Sequence, residues 1–246
     1  MKPDVVVDVG NTRIKWGRCS ADAVVAVASL PPDEPAAWEE QVRAWGLSSP
    51  ASWVVTGVHP PRCEKLVGWL RQRGDDVRVI DSARQLPLQV LVEHPDRVGI
   101  DRLLNAVAAN AHKSPECPAV IVDAGSAVTV DLVDQTGAFR GGAIMPGLRL
   151  MAHALHDHTA LLPRIEVPRE APALPGTSTA AAVAAGVFYA WAGGVSTLVH
   201  DYMADWEYPD VFLTGGDGPL LASALDLTCW PEMTLEGIRL AAESLP

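Results

Sequence analysis

The sequence predicts an α/β protein built twice on one β-hairpin plan, and three observations carry that prediction. The opening run Val5-Val6-Val7-Asp8-Val9-Gly10-Asn11-Thr12 recurs 115 positions later as Val120-Ile121-Val122-Asp123-Ala124-Gly125-Ser126-Ala127, with Asp over Asp and Gly over Gly. An Asp-x-Gly turn is common by itself. Here, in both copies, an apolar run precedes it and a hydroxyl or amide residue follows it, which points to duplication. Next, short β-branched runs alternate with one-sided apolar patterns of helical period, the mark of an α/β chain. Finally, the 246 residues are 48% hydrophobic and 20% charged, a globular composition with room for one large domain or two modest ones.

The elements follow in order. Each hairpin has a second strand-like run, Arg13-Ile14-Lys15-Trp16 in the first and Val128-Thr129-Val130-Asp131 in the second. Residues 37–45 and 63–73 carry helical patterns, the latter stopped by Gly74, and Trp53-Val54-Val55 and Val77-Arg78-Val79-Ile80 read as short strands. Leu103, Leu104, Val107 and Ala108 share one helical face after Gly99-Ile100-Asp101-Arg102. Two prolines in Lys113-Ser114-Pro115-Glu116-Cys117-Pro118 mark a linker, so the halves are drawn at 1–115 and 116–246. After the second hairpin come a Gly-rich turn at Gly141-Gly142, a helix over 148–155 and a Pro-rich loop over 162–175. A strand at Val211-Phe212-Leu213 and a closing helix over 235–243 complete the chain.

Residues 171–199 contain no charged side chain and are long enough for a membrane span. Val183, Val187, Trp191, Val195 and Leu198 nevertheless form a one-sided stripe, and Ala182, Gly186, Ala190 and Gly194 form a second row that is small at every fourth position. That asymmetry predicts a buried or interface helix over 179–199 rather than a span. A row of small residues lets a neighbouring backbone approach closely, and a two-fold homodimer is the expected use of it.

Charge and cysteine usage narrow the function. Nineteen Lys and Arg against 30 Asp and Glu give a net charge of −11, with no basic cluster, so nucleic acid and anionic membranes are excluded as partners. Cys19, Cys63, Cys117 and Cys229 have no CxxC spacing, which argues against a metal finger and a disulfide framework. The N-terminus lacks signal-peptide anatomy, and the expected location is cytoplasmic. His153, His156 and His158 lack the spacing of a zinc site and read as a solvated helix end.

The Asp-x-Gly turns carry the candidate chemistry. Gly10, Asn11 and Thr12 offer main-chain N–H groups and a hydroxyl to a phosphate, Lys15 adds a point charge, and Asp8 suits a cation rather than the anion. A plain hairpin with Asn-Thr turn chemistry is the alternative. Asp123-Ala124-Gly125-Ser126 repeats the kit without the lysine, and Thr214-Gly215-Gly216-Asp217 supplies a further glycine pair after a strand. Neither the P-loop nor the dinucleotide fingerprint is present. Arg102 is suited to clamp a carboxylate or phosphate and Asp101 to accept a proton from a hydroxyl; a surface pair at a helix start is the other reading.

Taken in order, these segments, with Gly141-Gly142-Ala143-Ile144-Met145-Pro146-Gly147, Gly176-Thr177-Ser178-Thr179 and Leu235-Glu236-Gly237, resemble the type III pantothenate kinases over residues 4–240. The resemblance implies duplicated ribonuclease-H-like halves of the actin-like ATPase fold, with ATP in the cleft between them and a homodimer as the assembly. It implies transfer of the γ-phosphoryl group of ATP to pantothenate, the first step of coenzyme A biosynthesis. By position, Asp101 matches the proton acceptor, and Gly99, Ile100, Asp101, Arg102 and Thr179 match substrate contacts. Asp8, Val9, Gly10, Asn11, Thr12, Arg13, Ile14, Lys15 and Ser126 match ATP contacts. Asp123 matches the ligand of a potassium or ammonium ion, and Asp8 lies near the Mg2+ that accompanies ATP. The sequence departs from the family at Val92, where a tyrosine is usual, at Ser126, where threonine is common, and at Thr56-Gly57-Val58 in place of Ser-Ser-Val. The alternatives are another phosphotransferase or phosphohydrolase of the same fold, and a nucleotide-binding regulatory relative with weak or no kinase activity. Retention of Asp8, Asp101, Arg102 and Asp123 weighs against the regulatory relative.

Overall fold

A computed structural model of the chain describes residues 2–245 and contains two compact units, one spanning residues up to His112 together with those from Glu232 onward, the other Lys113–Pro231. In the first unit the elements run β1 (Val5–Val9), β2 (Ile14–Cys19), β3 (Val24–Leu30), α1 (Pro35–Ala44), β4 (Ser52–Gly57), α2 (Pro60–Gln72), β5 (Asp76–Val79) and α3 (Ile100–His112). The second unit holds β6 (Ala119–Ala124), β7 (Ala127–Val133), β8 (Phe139–Pro146), α4 (Leu148–Asp157), α5 (Thr179–Asp205), β9 (Asp210–Thr214) and α6 (Gly218–Leu225). Last comes α7 (Met233–Glu243), part of the first unit.

The two sheets repeat one topology. In the first the order is β3-β2-β1-β4-β5, and in the second β8-β7-β6-β9. The strand before each Asp-x-Gly turn, β1 or β6, is antiparallel to the next strand and parallel to a later one, β4 or β9. Both duplicated turns therefore stand where parallel strands end, the edge at which α/β sheets place ligands.

Unit 1 packs around tryptophan. Trp16 of β2 and Trp53 of β4 are fully buried and meet edge to face with ring centroids 4.9 Å apart, and Trp38 of α1 meets Trp69 of α2 at 5.5 Å. Each such side chain contributes on the order of 1.5–3 kcal/mol through burial. Unit 2 buries alternate residues of its central strands, Val120, Val122, Val128 and Val130, against Val187, Trp191 and Val195 of α5. By the two-residue period of a strand, Asp123 and Thr129 project from the opposite face.

The predicted strands and helices all form, and β3, β8 and α6 are additional to them. β3 escapes a sequence reading because it is an edge strand of Val, Ala and Ser, with Val25 and Val27 exposed where polar residues would announce an outer face. Gly141-Gly142 is not a turn but part of β8. Gly141 has φ +94° beside a shift of register between Leu132 and Val133, and a side chain at Gly142 would strike the Val130 carbonyl of β7 at 2.2 Å. These glycines serve close strand pairing at a bulge.

The closing helix changes the domain boundary. The sequence reading ended the second half at residue 246, whereas the contacts return the segment from Glu232 onward to the first unit. There α7 crosses α3 so closely that a Cβ on Gly237 would lie 2.0 Å from the Leu104 carbonyl oxygen, and Thr234 Oγ1 donates to Asn105 Oδ1 at 2.8 Å in the buried crossing. Arg239 holds Glu236 through a two-pronged bond and Glu243 through Nη1, which neutralises the cation that α7 buries.

The uncharged stretch lies mostly in α5, 27 residues long and apolar enough by length and composition to cross a membrane. Its larger row, Val183, Val187, Trp191 and Val195, is buried, and Ala182, Gly186 and Ala190 are exposed. Gly194 departs from that row: it is half-buried, with a Cβ position 2.9 Å from Met145 Cε.

Candidate functional site

In unit 1 the exits of β1 and β4 and the start of α3 carry the candidate residues. The first turn is Gly10-Asn11-Thr12-Arg13, closed by a bond from the Gly10 amide to the Arg13 carbonyl at 3.0 Å. Asn11, Thr12 and Arg13 are exposed. Val9 and Ile14 bury their side chains in the core, so only their main chain can meet a ligand. Lys15 pairs directly with Asp8 across the hairpin and shares its face, one pair below the turn. Arg62 at the start of α2 was not a sequence candidate, yet its Nη1 donates to the Asn11 carbonyl and its Nη2 lies 3.2 Å from Asp33. It braces the turn, a role that no local pattern announces.

β4 accounts for Gly57 in the run Thr56-Gly57-Val58. Gly57 lies against Val9 in the parallel pair, and a Cβ there would fall 2.3 Å from the Val9 carbonyl oxygen. In this chain the β1–β4 register admits only glycine at that position. Thr56 before it is buried and donates its hydroxyl to the Ile80 carbonyl at 2.7 Å.

Asp101 and Arg102 occupy the first turn of α3, both half-buried. The Asp101 Oδ1 atom accepts the Arg102 amide at 2.9 Å, and the carboxylate folds back over Gly99, where a Cβ would be only 2.6 Å from that oxygen. The other carboxylate oxygen accepts no hydrogen bond among the described residues. A cavity of about 460 Å3 lies at the same end of the unit, lined by Gly57, Val58, Ser82, Val98, Gly99 and Ile100 among others. Ile100 is otherwise buried and contributes packing. Val92 is half-buried.

In unit 2 the second turn is one residue shorter: Ala124 pairs with Val128, and the Gly125 amide bonds the Ala127 carbonyl at 3.0 Å. Ser126 is exposed. The chain beyond β9 presses on the same turn, because Gly215, at φ +98°, brings its Cα within a side chain's reach of Ala124 and the Asp217 amide bonds the Ala124 carbonyl at 2.8 Å. Asp123 stands opposite Thr129 on one side and Thr214 on the other. Thr214 is 1% exposed, and its Oγ1 is buried without a partner among the described residues. Carboxylate and hydroxyl oxygens are the hard donors an alkali cation takes, so this set fits a monovalent ion. Among the described residues no group of three or more His, Cys, Asp or Glu gathers to hold a metal ion. His156 instead faces the Leu162 carbonyl at 2.9 Å, and His153 lies 3.4 Å from Arg164.

A cavity of about 800 Å3 opens beside the Gly215-Gly216 turn, between α4, α6 and the Pro-rich loop. Arg149, Arg164 and Arg169 line it, three of the five Lys and Arg between residues 113 and 231, and none of the three forms an ion pair among the described residues. Burial pushes the Asp217 carboxyl up, with the Arg149 guanidinium pulling the other way. None of these charges was a sequence candidate, because the loop that gathers them has no periodic pattern. Thr179, at the start of α5, is exposed and lines a separate apolar groove of about 710 Å3 with Met151, Leu155, Ala182, Gly186 and Ala190.

Duplicated sheets with Asp-x-Gly hairpins at the parallel strand ends define an actin-like ATPase fold. The activator of 2-hydroxyisocaproyl-CoA dehydratase from Clostridium difficile, solved with bound ADPNP, shares it at a TM-score of 0.55 and 15% identity, over 99% of this chain and 96% of that one. Within that class the profile of type III pantothenate kinase matches residues 5–201, and the chain belongs to this family. Type III pantothenate kinases of Synechococcus sp. (strain JA-3-3Ab) and Akkermansia muciniphila are 33% and 34% identical to it. The matches cover 94% of this chain and 88% of the first relative, and 97% of this chain and 97% of the second.

Proposed function

We propose that this chain transfers the γ-phosphoryl group of ATP to the primary hydroxyl of pantothenate, forming 4'-phosphopantothenate for coenzyme A synthesis in the cytoplasm. The observation that carries the reading is the Asp101 carboxylate, fixed through one oxygen on the Arg102 amide and open at the other. In the transfer the acceptor oxygen bonds to the γ-phosphorus, the bond from that phosphorus to the bridging oxygen breaks, and ADP leaves. The transition state is loose, so the acceptor proton is lost late, to the open oxygen of Asp101, which later yields it to water. Arg102 clamps the pantothenate carboxylate as a two-pronged donor. The main chain of residues 9–14 and Lys15 hold the phosphates, Ser126 adds a hydroxyl, and the nucleoside enters the cavity beside Gly216. Asp8 would lie near the Mg2+ that accompanies ATP, an ion that would neutralise phosphate charge, and Asp123 would hold the monovalent cation.

We infer further that the active unit is a homodimer joined on α5. The exposed row Ala182, Gly186 and Ala190 lines the apolar groove beside Thr179, and a second copy would cover it. Thr179 would then contribute to pantothenate binding at that contact.

The Asp101→Asn variant tests the reading. Its turnover with ATP and pantothenate should fall by about 100-fold or more, the scale of a positioned acid–base group, with ATP binding unchanged. Wild-type turnover in that variant removes Asp101 from the mechanism, and a wild-type protein that leaves pantothenate unphosphorylated overturns the function.

A further inference from the structure

The duplication supplies its own control for a residue that the two Asp-x-Gly turns do not include. In sheet 1, Asp8 of β1 pairs with Thr56 of β4; in sheet 2, Asp123 of β6 pairs with Thr214 of β9. The two threonines occupy the same place in the repeated plan, and each is 1% exposed. Their hydroxyls differ. Thr56 donates to the Ile80 carbonyl at 2.7 Å, an acceptor supplied by the chain just beyond β5. In sheet 2 the Cys229–Trp230 segment takes the place of β5, with Cys229 bridging Leu213 in parallel and the Trp230 amide bonded to the Leu213 carbonyl at 2.7 Å, yet Thr214 Oγ1 has no hydrogen-bond partner among the described residues.

A buried hydroxyl left without a partner is rare, and its desolvation is uncompensated. Three facts narrow what completes it. Thr214 projects from the face that carries Asp123, since cross-strand partners share a face, and Thr129 of β7 flanks Asp123 on the other side. Every side-chain donor in this row is oxygen. The main chain is pinned there: Gly215 admits no side chain against Ala124, whose carbonyl oxygen would be 2.3 Å from a Cβ, so Thr214 cannot drift from β6.

We propose that Thr214 is a second protein ligand of the monovalent cation, its hydroxyl oxygen joining the Asp123 carboxylate. The inference rests on the reading of Asp123 as the cation ligand and extends it to a residue outside the turn. A neutral oxygen beside a single carboxylate suits an ion of charge +1 better than a divalent one, which draws several carboxylates.

The test uses the full-length protein and two variants, Thr214→Val, which replaces the hydroxyl by a methyl of similar size, and Thr214→Ser, which restores an oxygen. Melting temperature is measured in KCl, NaCl and choline chloride at equal ionic strength, followed by kinase activity against potassium concentration. The wild type should melt higher in KCl than in choline chloride. Thr214→Val should lose that increment and need roughly tenfold more potassium for half-activation, the scale seen when a supporting group of a metal site is removed. In choline chloride Thr214→Val should melt at or above the wild type, since it no longer buries an unpaired hydroxyl, and Thr214→Ser should keep the potassium response. A Thr214→Val protein with the full potassium increment, or one that melts lower in choline chloride with that increment intact, assigns Thr214 a purely structural role and overturns the proposal. A wild type with no potassium-specific increment, and activity indifferent to potassium, overturns the reading of Asp123 as well. The Asp123→Ala variant separates the two, because it should abolish the increment whether or not Thr214 takes part.

Discussion

Gly99→Ala places a methyl group against the Asp101 carboxylate and little else. The new Cβ would lie 2.6 Å from Asp101 Oδ1, while the next atoms, Asp101 Cγ and Arg102 Cδ, are at 3.7 and 3.8 Å. Ordinary van der Waals contact begins near 3.4 Å, so the oxygen must retreat by about 0.8 Å. It is the end of a rotatable side chain, and the backbone meets no obstacle. The fold should therefore survive with a melting temperature within a few degrees of the wild type, the effect of a change well under 1 kcal/mol in a protein of this size. The carboxylate cannot retreat and keep its 2.9 Å bond to the Arg102 amide. A displacement near 1 Å of a positioned group costs about 100-fold in rate, so kcat should fall by roughly 30- to 100-fold. ATP affinity should hold, because the first turn is untouched. The assay is a coupled measurement of ADP release at saturating pantothenate, with melting followed by circular dichroism. Wild-type kcat in a folded Gly99→Ala protein would show that the position of Asp101 does not govern transfer. A collapse of melting temperature would refute the claim that the carboxylate alone yields.

Gly186→Leu should separate interface from core: a Cβ at Gly186 meets nothing within 4 Å among the described residues, so the protomer should fold, helped by about 1 kcal/mol of helix propensity. Sedimentation should show a shift from dimer to monomer with loss of pantothenate turnover; a dimer that persists rejects α5 as the contact. Burial pushes the Cys19 thiol up to about 12 from an ordinary 9.0, against the pull of Arg239. At pH 8 its thiolate fraction is then roughly 1000-fold below that of an exposed cysteine, so iodoacetamide should spare it in the folded protein and label it after denaturation. Rapid labelling of folded protein would contradict this. For Asp217, a carboxyl raised by burial is destabilising once ionised, so its contribution to stability falls as pH rises through its folded pKa. Asp217→Asn should accordingly gain melting temperature relative to the wild type from acidic to neutral pH; a constant difference across that range denies the linkage.

What the sequence determined by itself is local. The two hairpins, the helices marked by their apolar faces and the buried stripe of α5 follow from periodicity, which depends on neighbours a few residues apart. The motifs around Asp8, Asp101 and Asp123 were legible for the same reason, each being a contiguous turn or helix start. Tertiary structure decided what depends on segments far apart in the chain. The return of α7 to the first unit rests on crossings such as Thr234 with Asn105, 129 positions away. Gly141 and Gly142 look like a turn in one dimension, and only the register with β7 shows that they are in a strand. The three arginines of the 800 Å3 cavity sit on a helix and an irregular loop, and folding alone gathers them. Thr56 and Thr214 fill equivalent places in the repeated plan, yet one hydroxyl is satisfied and the other is not. Each threonine has a parallel segment beside its strand, the end of β5 in one sheet and Cys229–Trp230 in the other, and only the first brings an acceptor to the hydroxyl, because a hydrogen bond is fixed by where the acceptor lies in space.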